Sequence, residues 1–396
     1  MNKIFSLYNN HKKILDENPS EIFSDISIKF LSDFSKKILI DKEAKKYPDL
    51  VTFAFFCRKA NLEGLKLKFK KFNETRIGRG VIFHIAPSNV PLNFAYSLLA
   101  GILAGNINIV RLPSKNYNQN IIFVKILKEL SKIKSYHNFL NKILLVQYDY
   151  NSEFTEYFSS VCDIRVIWGG DQTINNIRKS PLQPKAYDIT FPDRYSICLI
   201  NADKYVKEKD KKRIANDFFN DTFLFDQNAC TSPHIILWNG SKKNIDLSKK
   251  LFWSELHKLV QTNYEFQNIS SVDKLTTFYN QSVNLIDIKK NKTNDNLIWL
   301  TELKKLKPNI ENFRSNCGYF LEHNLKNIND ISKISNNKYQ TLAYFGYEID
   351  ELQKIFSESS FKGLDRIVKI GQTSQFSLVW DGYNLINSLS SLREFK

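Results

Sequence analysis

From residue 80 onward, short apolar runs alternate with amphipathic stretches. GVIFHIA (80–86), NINIVRL (106–112), KILLVQY (142–148) and DIRVIW (163–168) are rich in apolar and β-branched residues and predict strands. NFAYSLLAGILAG (93–105), NIIFVKILKELSKI (120–133), NSEFTEYFSS (151–160) and DQTINNIRK (171–179) place apolar residues at helical spacing between them. Strand and helix alternating over short connections predict parallel strands covered by helices, a doubly wound α/β sheet. The rhythm continues with a strand at YSICLIN (195–201), helix over 207–224 and a strand at HIILWN (234–239). YFLEHN, YQTLAYFG and DRIVKIG are later strand candidates. Residues 1–75 read as mostly helical, with IKFLSDFSKKIL (28–39) amphipathic and LVTFAFFCRKANLEGL (50–65) one buried helix. No repeat, low-complexity linker or long Gly/Pro break separates these stretches, so the expected lobes are interleaved rather than tethered.

Composition narrows the class. The chain has 396 residues, 42% hydrophobic and 13% aromatic, enough for sizeable cores. The five cysteines are scattered, with no CxxC pair, which argues against a disulfide framework, a thiolate zinc site or another metal centre. A reducing cytoplasm is the expected location. The N-terminus, MNKIFSLYNNHKKILDENPS, lacks the sustained apolar stretch of a secretory signal, and no window approaches the ~20 apolar residues of a membrane span. A net charge of +16 suits an acidic carrier protein, a phosphate-rich substrate or nucleic acid. The abundance of Lys, Asn, Ile, Phe and Tyr also fits an AT-rich coding sequence, and no zinc-finger, RNP-like or basic-zipper spacing supports nucleic-acid binding.

Four local patterns carry chemistry. Asn89 stands between Pro87 and Pro91 where a strand gives way to a helix. Prolines that fix the backbone aim its amide as an uncharged oxyanion donor, or Asn89 caps the helix. The next strand ends in Arg111-Leu112-Pro113-Ser114-Lys115, and carboxyl ends of strands are where doubly wound sheets bind ligands. Arg111, Ser114 and Lys115 are thus candidates for a nucleotide's ribose or phosphate. In IWGGDQTINNIR (167–178), Gly169 and Gly170 lie between a strand and a helix start, where backbone can approach a pyrophosphate, with Thr173 a further hydrogen-bonding candidate. Finally, FDQNACTSPH (225–234) sets Cys230 among small and polar residues, the setting of an accessible nucleophile rather than a buried thiol. Cys57, Cys162, Cys198 and Cys317 read as core thiols.

In this order, HIAPSNVPLNFAYSLLAGILAGN, NIVRLPSK, WGGDQTI, FPDRYSICLI, DQNACTSPH, YQTLAYFG and VWDGYNLI resemble the aldehyde dehydrogenase superfamily. More closely they resemble the acyl-CoA reductase family, which includes the reductase subunit of the bacterial luminescence fatty-acid reductase. The likeness runs from about residue 45 to 395. It implies an aldehyde-dehydrogenase-like fold of two interleaved doubly wound lobes. The expected boundaries are 1–195 for a helical N-terminus with the nucleotide lobe, 196–360 for the catalytic lobe, and 361–396 for a segment returning to the first lobe or to an oligomer contact. The resemblance also implies that Cys230 takes the acyl group from a thioester, with Asn89 and the Cys230 N–H steadying the oxyanion, an effect of roughly 3 kcal/mol. A nicotinamide cofactor then delivers hydride to give a fatty aldehyde. The donor is a fatty acyl-CoA or acyl-protein, beside an acyl-transferring partner enzyme and within a homo-oligomer.

Departures from the superfamily pattern refine the expectation. Aldehyde-oxidising members carry a glutamate before the strand that precedes the cysteine, and YDITFPDRYS (187–196) has none, leaving only Asp188 or Asp193 as substitutes. Without a water-activating base an acyl-enzyme survives, which favours thioester reduction. The superfamily's other glutamate, at the nicotinamide ribose, falls near Tyr339-Gln340-Thr341, with Gln340 the polar candidate. Ser114 beside Lys115, where many NAD-using relatives place a glutamate, favours NADPH, with NADH possible. His234, four positions after Cys230, is a candidate proton donor to the departing thiol or a local structural histidine. His84 reads as a core or supporting residue. Two rival readings are a cysteine acyltransferase or thioesterase using Cys230 with His234, and a non-catalytic scaffold binding a nucleotide or partner.

Overall fold

A computed structural model describes residues 3–5, 13–69, 74–88, 90–149, 153–285, 287–291, 295–358 and 361–395. The chain forms two compact units, Met1–Pro192 together with Leu378–Lys396, and Asp193–Ser377.

In the first unit the strands are β1 (Lys3–Phe5), β2 (Val81–Ile85), β3 (Ile107–Arg111), β4 (Ile143–Gln147), β5 (Ile164–Trp168) and β6 (Tyr187–Phe191). They lie in the order β1-β4-β3-β2-β5-β6, with β1 antiparallel and the other five parallel. The chain first winds outward from β2 through β3 and β4, then crosses to the other side at β5. The carboxyl end of β2 is therefore the switch point, where the flanking loops diverge and leave a crevice. Strands β2 and β5 are buried at every position, which is why they read as continuous apolar runs. Phe83, Ile85, Ile109, Val146 and Ile167 pack with Phe158, Ile174 and Ile177. Each such side chain contributes about 1.5–3 kcal/mol by leaving water.

The second unit contains β7 (Tyr195–Asn201), β8 (Pro233–Asn239), β9 (Ile288–Asn291), β10 (Trp299–Leu303), β11 (Tyr319–Leu325), β12 (Tyr339–Phe345) and β13 (Arg366–Lys369). Their order is β9-β10-β11-β8-β7-β12-β13, parallel except for β9. Alternate residues serve opposite faces: Ile197, Leu199, Ile235 and Leu237 join one core, and Cys198, Ile200, Ile236 and Trp238 the other. Here the switch point lies between β7 and β12.

The aldehyde-dehydrogenase-like α/β class expected from the sequence is the class observed. Details differ. The expected single helix over 50–65 is two, Pro48–Phe56 and Lys59–Phe69, because the chain turns at Cys57-Arg58 and the Asn61 amide donates to the freed Phe56 carbonyl at 2.7 Å. The N-terminal region also supplies a strand, β1. Residues 361–377 belong with the second unit rather than a returning tail, because β13 is the edge strand of its sheet. Leu378–Lys396 belongs with the first unit, where Ser390–Arg393 pairs with Thr75–Gly78. Among the described residues no helix is long and apolar enough to cross a membrane.

Candidate active site

Cys230 lies in the turn between helix Lys211–Thr222 and β8, at the amino ends of the second unit's parallel strands. It is half-buried, while Cys57, Cys162 and Cys198 are buried. Burial alone pushes the Cys57 thiol well above its ordinary value, and burial first of all does the same for Cys198 and lifts Cys162 to about 12. Those three are inert core thiols. Cys317, also expected in the core, is half-buried and sits in left-handed backbone (φ 57°) just before β11.

The cysteine turn is pinned from beneath. Gln227, buried and left-handed at φ 61°, satisfies four backbone groups with one amide. Its Nε2 donates to the Pro233 and Tyr319 carbonyls at 3.0 and 3.1 Å, and its Oε1 accepts the Gly318 and Tyr319 N–H groups at 3.1 and 3.2 Å. Ser232 Oγ donates to the Asp221 carbonyl at 2.8 Å. Ser196 Oγ donates to the Cys230 carbonyl at 2.7 Å and accepts the Thr341 N–H at 3.2 Å, tying the turn to β7 and β12. On the rim, Asn316 donates to Asn228 Oδ1 at 2.5 Å, the Cys317 N–H to the Asp226 carbonyl at 2.9 Å, and the Tyr264 hydroxyl to Asp226 Oδ1 at 2.7 Å. A cysteine that is not fully buried, on backbone pinned in this way, is the arrangement a thiol nucleophile needs.

His234 is placed differently from a proton donor. It is 3% exposed, stacks on Tyr195 at 5.2 Å, and faces the Ser315 carbonyl through Nδ1 at 3.0 Å. Since a carbonyl only accepts, the proton sits on Nδ1. Burial, aided by nearby Arg314, lowers its pKa to about 3. It is a neutral support for the 314–318 segment. Gln340 is buried on β12 beside Thr341, at the same end of the sheet as the cysteine turn.

The first unit gathers the nucleotide candidates around its own switch point. Asn89 falls outside the described residues, but its neighbours Ser88 and Val90 lie at the carboxyl end of β2. Tyr117 donates to the Ser88 carbonyl at 2.9 Å, joining that loop to the one after β3. Arg111 ends β3. Its guanidinium rests on Tyr148 at 4.7 Å and donates to the Tyr148 carbonyl at 3.4 Å, while its Nε has no hydrogen-bond partner among the described residues. Ser114 and Lys115 are exposed beyond it, Lys115 over the Tyr117 ring at 5.3 Å. Gly169 and Gly170 follow β5. A side chain on Gly170 would meet nothing within 4 Å, whereas one on Gly169 would press on Thr173 at 3.2 Å. Thr173 thus packs under the glycine turn, and the helix it belongs to has only seven residues.

Beneath this crevice runs a buried polar chain. The Trp168 indole donates to Ser97 Oγ at 3.1 Å, Ser97 meets His84 Nδ1 at 2.7 Å, and His84 Nε2 meets Asn108 Oδ1 at 3.1 Å. Asn108 then donates to the Asn106 carbonyl at 2.8 Å. These directions put the His84 proton on Nε2, and burial lowers its pKa to about 4. His84 is a support holding β2, β3, β5 and helix Asn93–Leu103 together.

Neither substitute carboxylate is a free base. Asp188 is paired with buried Arg165 at 2.8 Å and with Arg178 at 3.2 Å. Asp193 is paired with Arg314 at 2.8 Å. Among the described residues no cluster of His, Cys, Asp and Glu could hold a metal ion.

Residues 58–392 match the family model of the acyl-CoA reductases (LuxC). The chain belongs to the acyl-CoA reductase family. Its curated relatives include the long-chain acyl-protein thioester reductase of Vibrio harveyi, 23% identical over 309 residues, covering 75% of this chain and 60% of that protein. The counterpart from Photorhabdus luminescens is 24% identical over 309 residues, covering 75% and 59%. The chain thus spans about 60% of the length of the curated relatives it matches. Solved structures of the same fold include aldehyde dehydrogenase 21 of Physcomitrella patens, with TM-score 0.62, 12% identity, and 93% and 84% of the two chains covered. Another is the glyceraldehyde-3-phosphate dehydrogenase GapN of Methanocaldococcus jannaschii, complexed with NADP, at TM-score 0.58 and 15% identity, covering 94% and 86%.

Proposed function

We propose that this acyl-CoA reductase family member reduces a fatty acyl thioester, on CoA or on a protein, to the aldehyde through an acyl-Cys230 intermediate. The observation that carries the reading is the cysteine turn: a half-buried cysteine on backbone held from below by Gln227, Ser196 and Ser232. Cys230 attacks the thioester carbonyl and the donor thiol leaves with a proton. Asn89 and backbone N–H groups of the turn are assigned to the oxyanion. A reduced nicotinamide, when bound, supplies the hydride that converts the acyl group to the aldehyde, and Cys230 departs as the thiolate, which takes a proton from water.

The residues around the first unit's switch point support binding of such a dinucleotide. Among the described residues Gly170 borders open space and Arg111 Nε has no partner, and Ser114 with Lys115 presents a hydroxyl and a positive charge, which supports NADPH over NADH. Gln340 is assigned to the nicotinamide ribose. The pairing of Asp188 and Asp193 with arginines supports survival of the acyl-enzyme. The burial of His234 supports reduction over a Cys-His acyltransferase or thioesterase. The reading extends to a cytoplasmic homo-oligomer working beside an acyl-transferring enzyme. The test is NADPH oxidation on addition of long-chain acyl-CoA or acylated carrier protein. Aldehyde formed in step with NADPH loss, and abolished in Cys230→Ala, is expected. Thioester hydrolysis without NADPH loss would overturn it.

A further inference from the structure

The second unit has a crevice of its own, at the end of the sheet opposite Cys230. A cavity of about 520 Å³ opens beyond the carboxyl ends of β7, β12 and β13. This is the switch point between β7 and β12, the place where open α/β sheets bind ligands. Its volume suits a small metabolite. Strand β7 has seven residues, so the cavity lies on the order of 20 Å from the cysteine turn.

The lining is charged and aromatic. Lys204, Arg213 and Lys369 contribute positive charge, Asp217 and Glu348 negative, and Phe345 and Tyr347 contribute rings. Arg213 and Asp217 neutralise each other at 3.3 Å. The Lys204 and Lys369 ammonium groups have no hydrogen-bond or ion-pair partner among the described residues. Two uncommitted cations against one exposed carboxylate, Glu348, leave the crevice cationic. Two left-handed glycines shape it. A side chain on Gly346 (φ 84°) would strike Asn201 and Lys204 at 2.9 Å, and one on Gly371 (φ 91°) would strike Asp217 at 2.8 Å.

We propose that this crevice binds a phosphate-bearing small molecule between Lys204 and Lys369. The site is connected to the nucleophile. Helix Lys211–Thr222 lines the cavity through Arg213 and Asp217 and ends in the cysteine turn. The Asp221 carboxylate accepts the Gly371 N–H at 2.6 Å and the Thr373 N–H at 3.1 Å, holding the cavity's rim, while its carbonyl accepts Ser232 Oγ. A ligand that shifts the rim therefore changes the reactivity of Cys230.

The site does not depend on the acyl chemistry and is tested without it. Titration calorimetry with inorganic phosphate, ribose 5-phosphate and AMP, with acetate as the carboxylate control, uses the intact chain. The double variant Lys204→Ala/Lys369→Ala removes only exposed side chains that have no partner among the described residues. Lys115→Ala reports any binding in the first unit's crevice. Binding of at least one phosphate compound, weakened ~10-fold or more in the double variant and unchanged in Lys115→Ala, is expected. Phosphate alone matching the esters would identify the anion as the whole ligand, and tighter binding of an ester would identify the metabolite class. Absence of binding, or equal weakening in both variants, would overturn the site. Binding that leaves the rate of Cys230 alkylation by iodoacetamide unchanged would overturn the connection to the nucleophile.

Discussion

Gln227 and Tyr319 bond to each other as two strands would: the Gln227 amide accepts the Tyr319 N–H at 3.2 Å and donates to the Tyr319 carbonyl at 3.1 Å. A side chain thereby does the work of a strand neighbour and holds the nucleophile's turn on β11. Gln227→Ala leaves these two groups, the Gly318 N–H and the Pro233 carbonyl without their partner. The expected cost is about 2–4 kcal/mol, measured as a lowered urea midpoint, with slower acylation of Cys230 than in the wild type under conditions where both are folded. Unaltered stability would contradict the role.

The thiols divide by accessibility. Brief iodoacetamide treatment of the native chain is expected to modify Cys230 and Cys317 and to leave Cys57, Cys162 and Cys198 unmodified until urea unfolds the chain. Peptide mass mapping reads the order of labelling. Early modification of Cys198 would contradict the packing of the second unit.

Two histidines predict an acid limb to stability. The unfolded chain protonates His84 and His234 near the ordinary 6.5, while burial holds the folded values at about 4 and about 3. Their contribution is complete above pH 6.5 and is lost as pH falls through the folded values, at up to about 1.4 kcal/mol per pH unit for each. Asp221 runs the other way. Burial raises its pKa to about 6, so its contribution is complete below 3.8 and lost as pH rises through 6, which offsets one histidine between those values. Urea midpoints from pH 7 to 4.5 are expected to fall, with a shallower slope in His84→Gln. An identical slope in the variant would contradict the neutral state assigned to His84.

Cofactor choice rests on two exposed positions. Ser114→Glu places a carboxylate where the proposed 2′-phosphate lies, and Lys115→Ala removes the cation. The ratio of kcat/KM for NADPH to that for NADH is expected to fall ~10-fold or more in Ser114→Glu and by a smaller factor in Lys115→Ala. An unchanged ratio in both variants would place the phosphate elsewhere.

Much of the fold was legible because β2, β3, β4, β5, β7 and β8 are short, nearly continuous apolar runs set between amphipathic helices. What was not legible is where polar residues turn inward. Helices Lys242–Asn263 and Ile269–Asn284 are polar overall, and the second buries Lys274 and Gln281, which donate to the carbonyls of Asn296, Leu297 and Phe313. Such residues blur the apolar period. At the site, the turn around Cys230 was marked by its small polar residues, yet nothing in that pattern singles out Gln227, which is 1% exposed and holds the turn. Cys317 reads as core because Tyr319 and Phe320 follow it, but its left-handed backbone sets it on the rim beside Asp226. His234 follows Cys230 closely in sequence, and only its stacking on Tyr195 and its bond to the Ser315 carbonyl reveal that its ring turns into the core.

The acyl-Cys230 intermediate is tested most directly by intact-protein mass spectrometry after incubation with acyl-CoAs of several chain lengths and with acylated carrier protein, without nicotinamide. The account predicts one added acyl group, mapped to Cys230, absent from Cys230→Ala and discharged when NADPH is added. No adduct with any donor, or an adduct that persists in Cys230→Ala, would contradict it.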